Sequence, residues 1–257
     1  MSRALPAELL AIAELARSNE LAILVDLDGT LIRFARTPAE ARLDDAACLV
    51  LRELDGTGAR VVVVSGRPRD AIEPLRSLVP GAEWVAEHGA CRFADGGWLG
   101  PAGPAPELAS LATAWSPLAA RTAGAWIEAK SVSLCFHWRE VPERERDALA
   151  GEVELIATEW LESEPEYERL PAVFALEIRR RGVHKGTAVS WLRSRRPGAR
   201  ILALGDDVTD EDAFKVLGSS DVTVKVGHAD TAAVNRLQDT DAVAQWLQRL
   251  AEKLADH

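Results

Sequence analysis

The sequence predicts an α/β protein: a doubly wound, mostly parallel sheet core with an inserted α+β cap domain. Three observations carry that reading. Short, nearly continuous apolar runs recur at 21-LAILVD-26, 60-RVVVVSG-66, 200-RILALGD-206 and 221-DVTVKVG-227, the mark of strands buried on both faces. Helical patterns lie between them, the alternation of a doubly wound sheet. In the middle of the chain the period changes, and 125-AWIEAKSVSLCFHWRE-140 alternates apolar with polar residues.

Taken in order, MSRALPAELLAIAELARSNE is interrupted by Glu8 and Glu14 and predicts an amphipathic helix, not a signal peptide. The run 21–26 is the first strand. Residues 44–55 place Leu51 and Leu54 on one helical face. Residues 68–78 open with Pro68, which suits a first helical turn. The Pro/Gly/Ala stretch 101-PAGPAPE-107 is a linker. After it, 125–140 predicts one long antiparallel strand with a wet face, 142–162 an amphipathic helix and 173–179 a further strand. Residues 183–195 carry Val189 and Leu192 at helical spacing, and 209-TDEDAF-214 sets Thr209 and Asp212 three apart, close to a capping box. A last helix, 240–255, aligns Val243, Trp246, Leu247, Leu250 and Leu254. The expected division is a core of residues 1–103 and 177–257, with the cap at 104–176.

Of 257 residues, 47% are hydrophobic and 27% charged, with a formal charge of −10. That balance argues against nucleic acid or an anionic membrane as a partner. It leaves room for an anionic small molecule, because a local cation or metal ion can reverse the field in one cleft. The three cysteines, Cys48, Cys91 and Cys135, are widely spaced and lack CxxC pairing, so reduced thiols in the cytoplasm are expected. No segment reaches the roughly 18 uninterrupted apolar residues that a membrane span needs.

The chemistry gathers at strand ends. Side chains alternate along a strand, so Asp26 and Asp28 leave the end of the first run on one side. Ligands of open α/β sheets bind outside the carboxyl ends of strands. Ser65 follows VVVV, Asp206 and Asp207 follow ILALG, and Lys185 follows Gly182. Two carboxylates held close are costly unless something neutralises them. Oxygen ligands without a His or Cys cluster suit Mg²⁺. A calcium-binding EF-hand is excluded, since its twelfth position, counted from Asp26, is Thr37 rather than Glu.

The set 26-DLDGT-30, 65-SGR-67, Lys185 and 205-GDDVTD-210 resembles, in order and context, the motifs of the haloacid dehalogenase superfamily of phosphatases. More narrowly, 26-DLDGTLIRFARTPAEA-41, 87-EHG-89, 130-KSVSLCFHWR-139, 177-EIRRRGVHKGTA-188 and 205-GDDVTDEDAF-214 look like trehalose-6-phosphate phosphatases. The resemblance implies a haloacid dehalogenase-like core with an inserted cap. It implies Mg²⁺-dependent hydrolysis of trehalose 6-phosphate, the last step of trehalose biosynthesis. Asp26 then attacks phosphorus, and Asp28 is the general acid and then the base. Thr30 and Ser65 donate to phosphoryl oxygens, and Lys185 neutralises the transferring group. The ion is held by Asp206, Asp207, one oxygen of Asp26 and the Asp28 carbonyl, with Gly29 and Asp210 supporting. Substrate contacts are expected from Gly66, Arg67, Glu87 and His88 on the core, and from Lys130, His137, Arg139 and Glu177 on the cap.

Two other readings stay open. One keeps the chemistry for another sugar phosphate, of the sucrose-6-phosphate or mannosyl-3-phosphoglycerate type. The other is a non-enzymatic sugar-phosphate sensor or a partner of a synthase. A functional link to trehalose-6-phosphate synthase and a monomeric state complete the expectations.

Overall fold

The computed structural model describes residues 21–33 and 42–255. The helix expected before residue 21 and the stretch 34–41 lie outside them. The chain divides into two compact units, one running to Leu99 and resuming at His184, the other Gly100–Val183. These boundaries lie a few residues outside the span 104–176, because the strand Ala175–Arg180 belongs whole to the second unit's sheet.

The first unit is built on an eight-stranded sheet in the order β12-β11-β10-β1-β2-β3-β4-β5. Its strands are β1 (Leu21–Asp26), β2 (Arg60–Val64), β3 (Glu83–Ala86), β4 (Cys91–Ala94), β5 (Gly97–Leu99), β10 (Arg200–Gly205), β11 (Val222–Val226) and β12 (Asn235–Leu237). β12 through β3 pair in parallel, and β4 and β5 close the edge antiparallel. β1 lies between β10 and β2, so its end is flanked by two other strand ends. The apolar runs are buried on both faces, as their lack of alternation demands. Ile23, Val25, Val61, Val63 and Leu204 face the helices α1 (Asp45–Gly56), α2 (Arg69–Arg76) and α7 (Thr240–Ala255). Ala22, Leu24, Val62, Val64 and Ala203 face α5 (Lys185–Arg195) and α6 (Glu211–Val216). Asp44 caps α1, its Oδ1 accepting from Ala47 N at 2.7 Å.

The second unit has a four-stranded antiparallel sheet, ordered β6-β7-β9-β8, with helices α3 (Leu108–Arg121) and α4 (Glu143–Ser163). Its core joins Leu111 and Trp115 of α3, Leu149 and Val153 of α4, and Leu134, Phe136, Leu176 and Ile178 of the sheet. The expected single strand over 125–140 is instead a hairpin of β6 (Trp126–Ala129) and β7 (Ser133–His137), turned by Ser131 and Val132. β8 (Tyr167–Ala172) and β9 (Ala175–Arg180) form a second hairpin. The capping box also differs from the reading at Thr209 and Asp212. It is Asp207 and Asp210 that bond reciprocally around the 3₁₀ turn Val208–Asp210.

Candidate active site

β1 delivers Asp26 at its last position, and the chain turns at once through Gly29 (φ 88°). Asp26 is buried, and its Oδ1 accepts from Lys185 Nζ at 2.5 Å. Lys185 opens α5 and also donates to Asp210 Oδ1 at 2.8 Å. Carboxylate oxygens of Asp26, Asp206 and Asp210 lie within 4.8 Å of one another. Thr30, fully buried, donates from Oγ1 to Asp206 Oδ1 at 3.1 Å. Gly205 makes this packing possible: a Cβ there would stand 2.1 Å from the Asp210 Cγ.

Electrostatics follow from crowding and burial. Burial pushes the Asp26 carboxyl well above the usual carboxylate range, with Asp210 and Asp206 adding to the push and Lys185 opposing it. Asp206 is pushed up to about 6, first by burial and then by Asp210. Burial works against the Lys185 ammonium, but the charges of Asp210 and Asp26 outweigh it and raise its pKa. Three carboxylates face one ammonium, leaving 3 − 1 = 2 negative charges in excess when all are ionised. An all-oxygen donor set with that excess fits a hard divalent cation.

Asp28 is not part of this cluster. Its two oxygens accept from Arg67, Oδ2 from Nε at 2.8 Å and Oδ1 from Nη2 at 2.6 Å. Arg67 belongs to the corner after β2, where its N–H donates to the buried Ser65 Oγ at 3.1 Å. Its carbonyl accepts from Glu87 N at 3.0 Å, and the Ser65 carbonyl accepts from His88 N at 3.0 Å. The two rim corners, 65–67 and 87–89, are thereby tied. Glu87 and His88 sit at φ 52° and 56°, each conformation costing ~1–3 kcal/mol in a residue with a side chain. Gly66 makes room for the His88 ring, since a Cβ would lie 2.4 Å from its Cε1.

Asp207, expected among the metal residues, is exposed, and its Oδ1 accepts from Val208 N at 2.7 Å. The structure puts Asp210, read as supporting, in the carboxylate cluster instead. Sequence reasoning also missed Lys225 and Glu211. Lys225 is buried within β11, and its Nζ donates to the Asp207 carbonyl at 3.2 Å and to Glu211 Oε1 at 3.3 Å. Its signal was a lysine inside 222-VTVKV-226, a run otherwise buried on both faces.

In the second unit, Lys130 and Glu177 are both buried and bonded at 2.9 Å, and Ser133 Oγ donates to the same Glu177 oxygen at 2.6 Å. Glu128, which the sequence reading passed over, joins the group. Its Oε2 lies 3.8 Å from Lys130 Nζ and 3.2 Å from His137 Nε2. Trp126 stacks on the His137 ring at 4.0 Å between centroids. Burial opposes ionisation of Glu128, but the His137 hydrogen bond and the Lys130 charge hold its carboxyl below the usual range. Arg139 is exposed and donates to the Val173 carbonyl at 3.3 Å.

The chain is similar to known proteins. The family described as Trehalose-phosphatase matches residues 24–241. A bifunctional trehalose-6-phosphate synthase/phosphatase of Thermoproteus tenax is 29% identical over 242 residues, 93% of this chain and 33% of its own length. A trehalose-6-phosphate phosphatase of Escherichia coli is 29% identical over 246 residues, 92% of this chain and 89% of its own. The chain thus spans about a third of the length of the longer relatives. The C-terminal domain of a Candida albicans trehalose-6-phosphate phosphatase superposes with a TM-score of 0.84 at 24% identity, covering 98% of each chain, and shares the fold. With the family pattern running from β1 into α7, the chain belongs to the trehalose-phosphatase family.

Proposed function

We propose that this chain hydrolyses trehalose 6-phosphate to trehalose and inorganic phosphate through an aspartyl-phosphate on Asp26. The observation that carries the reading is the buried Asp26 carboxylate at the end of β1, clasped by Lys185 beside Asp206 and Asp210. A carboxylate is a competent nucleophile toward phosphorus when positive charge offsets its repulsion from the phosphate dianion. Lys185 supplies part of that charge. Asp26, Asp206 and Asp210, with the Asp28 carbonyl, would hold Mg²⁺. When bound, the ion would supply the remaining positive charge at the reacting oxygens.

An Asp26 oxygen bonds to phosphorus, and the bond from phosphorus to the sugar oxygen breaks. Asp28 gives that oxygen a proton. Water then attacks phosphorus and passes a proton to Asp28, and the acyl-phosphate bond returns its electron pair to Asp26. Thr30 steadies Asp206, and Lys225 steadies the Asp207 turn. The second unit is the sugar-recognition domain in this reading. Support comes from the polar group of Lys130, Glu177, His137 and Glu128 on its sheet, since several fixed donors and acceptors are what a hydroxyl-rich ligand needs. The relative named for both activities supports a functional link to a trehalose-6-phosphate synthase. Cys48, Cys91 and Cys135, buried and unbridged, support a reducing compartment such as the cytoplasm. Among the described residues no helix is long and apolar enough to cross a membrane.

Phosphate release from a panel of sugar phosphates, with Mg²⁺ and with EDTA, tests the reading in the wild type and Asp26→Asn. Trehalose 6-phosphate is expected to lead the panel, with activity lost on chelation and in the variant. A broad or shifted preference would move the assignment to another sugar phosphate. No release at all would leave a sensor or synthase partner.

A further inference from the structure

We infer that Trp126 is a stacking platform for a sugar ring: its indole receives the apolar face of a pyranose whose hydroxyls reach Glu128, Lys130 and Glu177. The inference rests on the sugar-recognition role proposed for the second unit and extends it to a residue outside the charged group. Its ground is the register of the sheet. Side chains alternate along an extended chain, so Trp126, Glu128 and Lys130, spaced by two, leave on one face. Trp126 pairs with His137, and Glu128 with Cys135, which in turn pairs with Glu177. Residues opposite one another share a face. The helices α3 and α4 pack on the other face, against Leu134, Phe136, Leu176 and Ile178.

Of the eight tryptophans, all within the described residues, Trp126 is the exposed one, at 42%. Exposure alone asks for no ligand. The indole is also fixed in place. It lies against the His137 ring with the planes 11° apart, and His137 is bonded to Glu128 at 3.2 Å. A flat apolar surface is thus preset beside the polar groups, so little order is lost when a ring settles on it. The charges narrow the occupant. Glu128 and Glu177 face one ammonium, Lys130, which leaves 2 − 1 = 1 negative charge in excess when all are ionised. A phosphate is disfavoured there. A neutral ring with a face of C–H bonds and a rim of hydroxyls fits both parts. Its C–H face lies on the electron-rich face of the indole, while its hydroxyls donate to the carboxylates and accept from the ammonium. Trp126 touches none of the reacting atoms in this scheme, so it binds ground state and transition state alike.

The experiment measures phosphate release by the full chain from trehalose 6-phosphate in Mg²⁺, and calorimetric binding of trehalose itself. The wild type is compared with Trp126→Leu and Trp126→Phe, each first checked for an unchanged melting temperature. Trp126→Leu keeps an apolar side chain and removes the ring face. It is expected to raise KM about 10-fold or more with kcat changed little, and to weaken trehalose binding by a similar factor. Trp126→Phe is expected to recover most of both. Indole fluorescence gives a readout that does not need the leucine variant. Saturating trehalose is expected to change the emission of the wild type, and to change that of Trp126→Phe far less. A lowered kcat at unchanged KM would overturn the inference. Losses as large in Trp126→Phe as in Trp126→Leu would overturn it too, as would equal emission changes in wild type and Trp126→Phe. A wild type that hydrolyses trehalose 6-phosphate beside a Trp126→Leu chain of unchanged KM would sink this inference alone. A wild type that neither hydrolyses trehalose 6-phosphate nor binds trehalose would overturn the proposed function, and this inference with it.

Discussion

Lys185 is the residue on which the carboxylate cluster depends. It is buried and donates to Asp26 and Asp210. Removing one partner of a buried ion pair costs about 3–5 kcal/mol, because the other charge is left uncompensated. Lys185→Met is expected to lose that much stability in urea without metal, and to regain part of it on adding Mg²⁺. An unchanged midpoint would mean that the carboxylates carry protons instead of needing the ammonium. Glu128 makes the complementary case in the second unit. Its folded carboxyl sits below the usual value, so its ionised form stabilises the fold above about pH 4.3, the unfolded value, and the gain is lost as pH falls through the folded value. The stability gap between wild type and Glu128→Gln is therefore expected to be full at pH 7 and to shrink below about pH 4. Urea midpoints at both pH values check this, and a gap that widens in acid would refute the assignment. At this scale the grouping of Asp26 and Asp206 was legible from strand-end position, and that of Lys185 from its place at the start of a helix. Asp210 was undervalued, because the sequence could not say that Gly205 leaves room for its carboxyl. Lys225 was missed because a single cation within an apolar run reads as an interruption.

Elements were most legible where burial on both faces removes ambiguity. The runs read at 21–26, 60–66, 200–206 and 221–227 are β1, β2, β10 and β11 within two residues at either end. The hairpin of β6 and β7 was not legible as such, and the reason is parity. Ile127 pairs with Phe136, and Ala129 with Leu134. The apolar positions thus pass from odd numbers to even across Ser131 and Val132, whereas a single strand keeps one parity. The slip in the alternation was the turn. The strands β3, β4, β5 and β12 are three or four residues long, too short for a period to establish itself. β3 and β12 exist because the longer β2 and β11 offer an edge, and β4 and β5 extend that edge as short antiparallel additions.

Each unit has its own apolar core, which makes a prediction for the whole molecule. Phe136 is fully buried among Trp115, Val153 and Ile178 of the second unit. Phe136→Ala is expected to cost about 3–5 kcal/mol, as large-to-small core changes do. By hydrogen exchange, faster exchange is expected across 126–180, with β1, β2 and β10 still protected. Acceleration spread evenly over both units would mean that they open as one. At this scale the doubly wound core was legible, since strand–helix alternation leaves few topologies. The exact joints were not, because β9 is polar and apolar by turns and gives no sign of which sheet owns it.

The strand that carries Asp26 has a further consequence, for protein synthesis. Asp26 is added to the chain well before its partners: its ammonium partner lies 159 residues later, and the Asp206 partner of Thr30 lies 176 residues from it. β1 cannot gain its β10 neighbour until residue 205 has cleared the ribosome. Until then one edge of the central strand is bare, and the Asp26 carboxylate has no lysine beside it. A message broken before that point yields only a fragment with an exposed strand for chaperones and proteases to find.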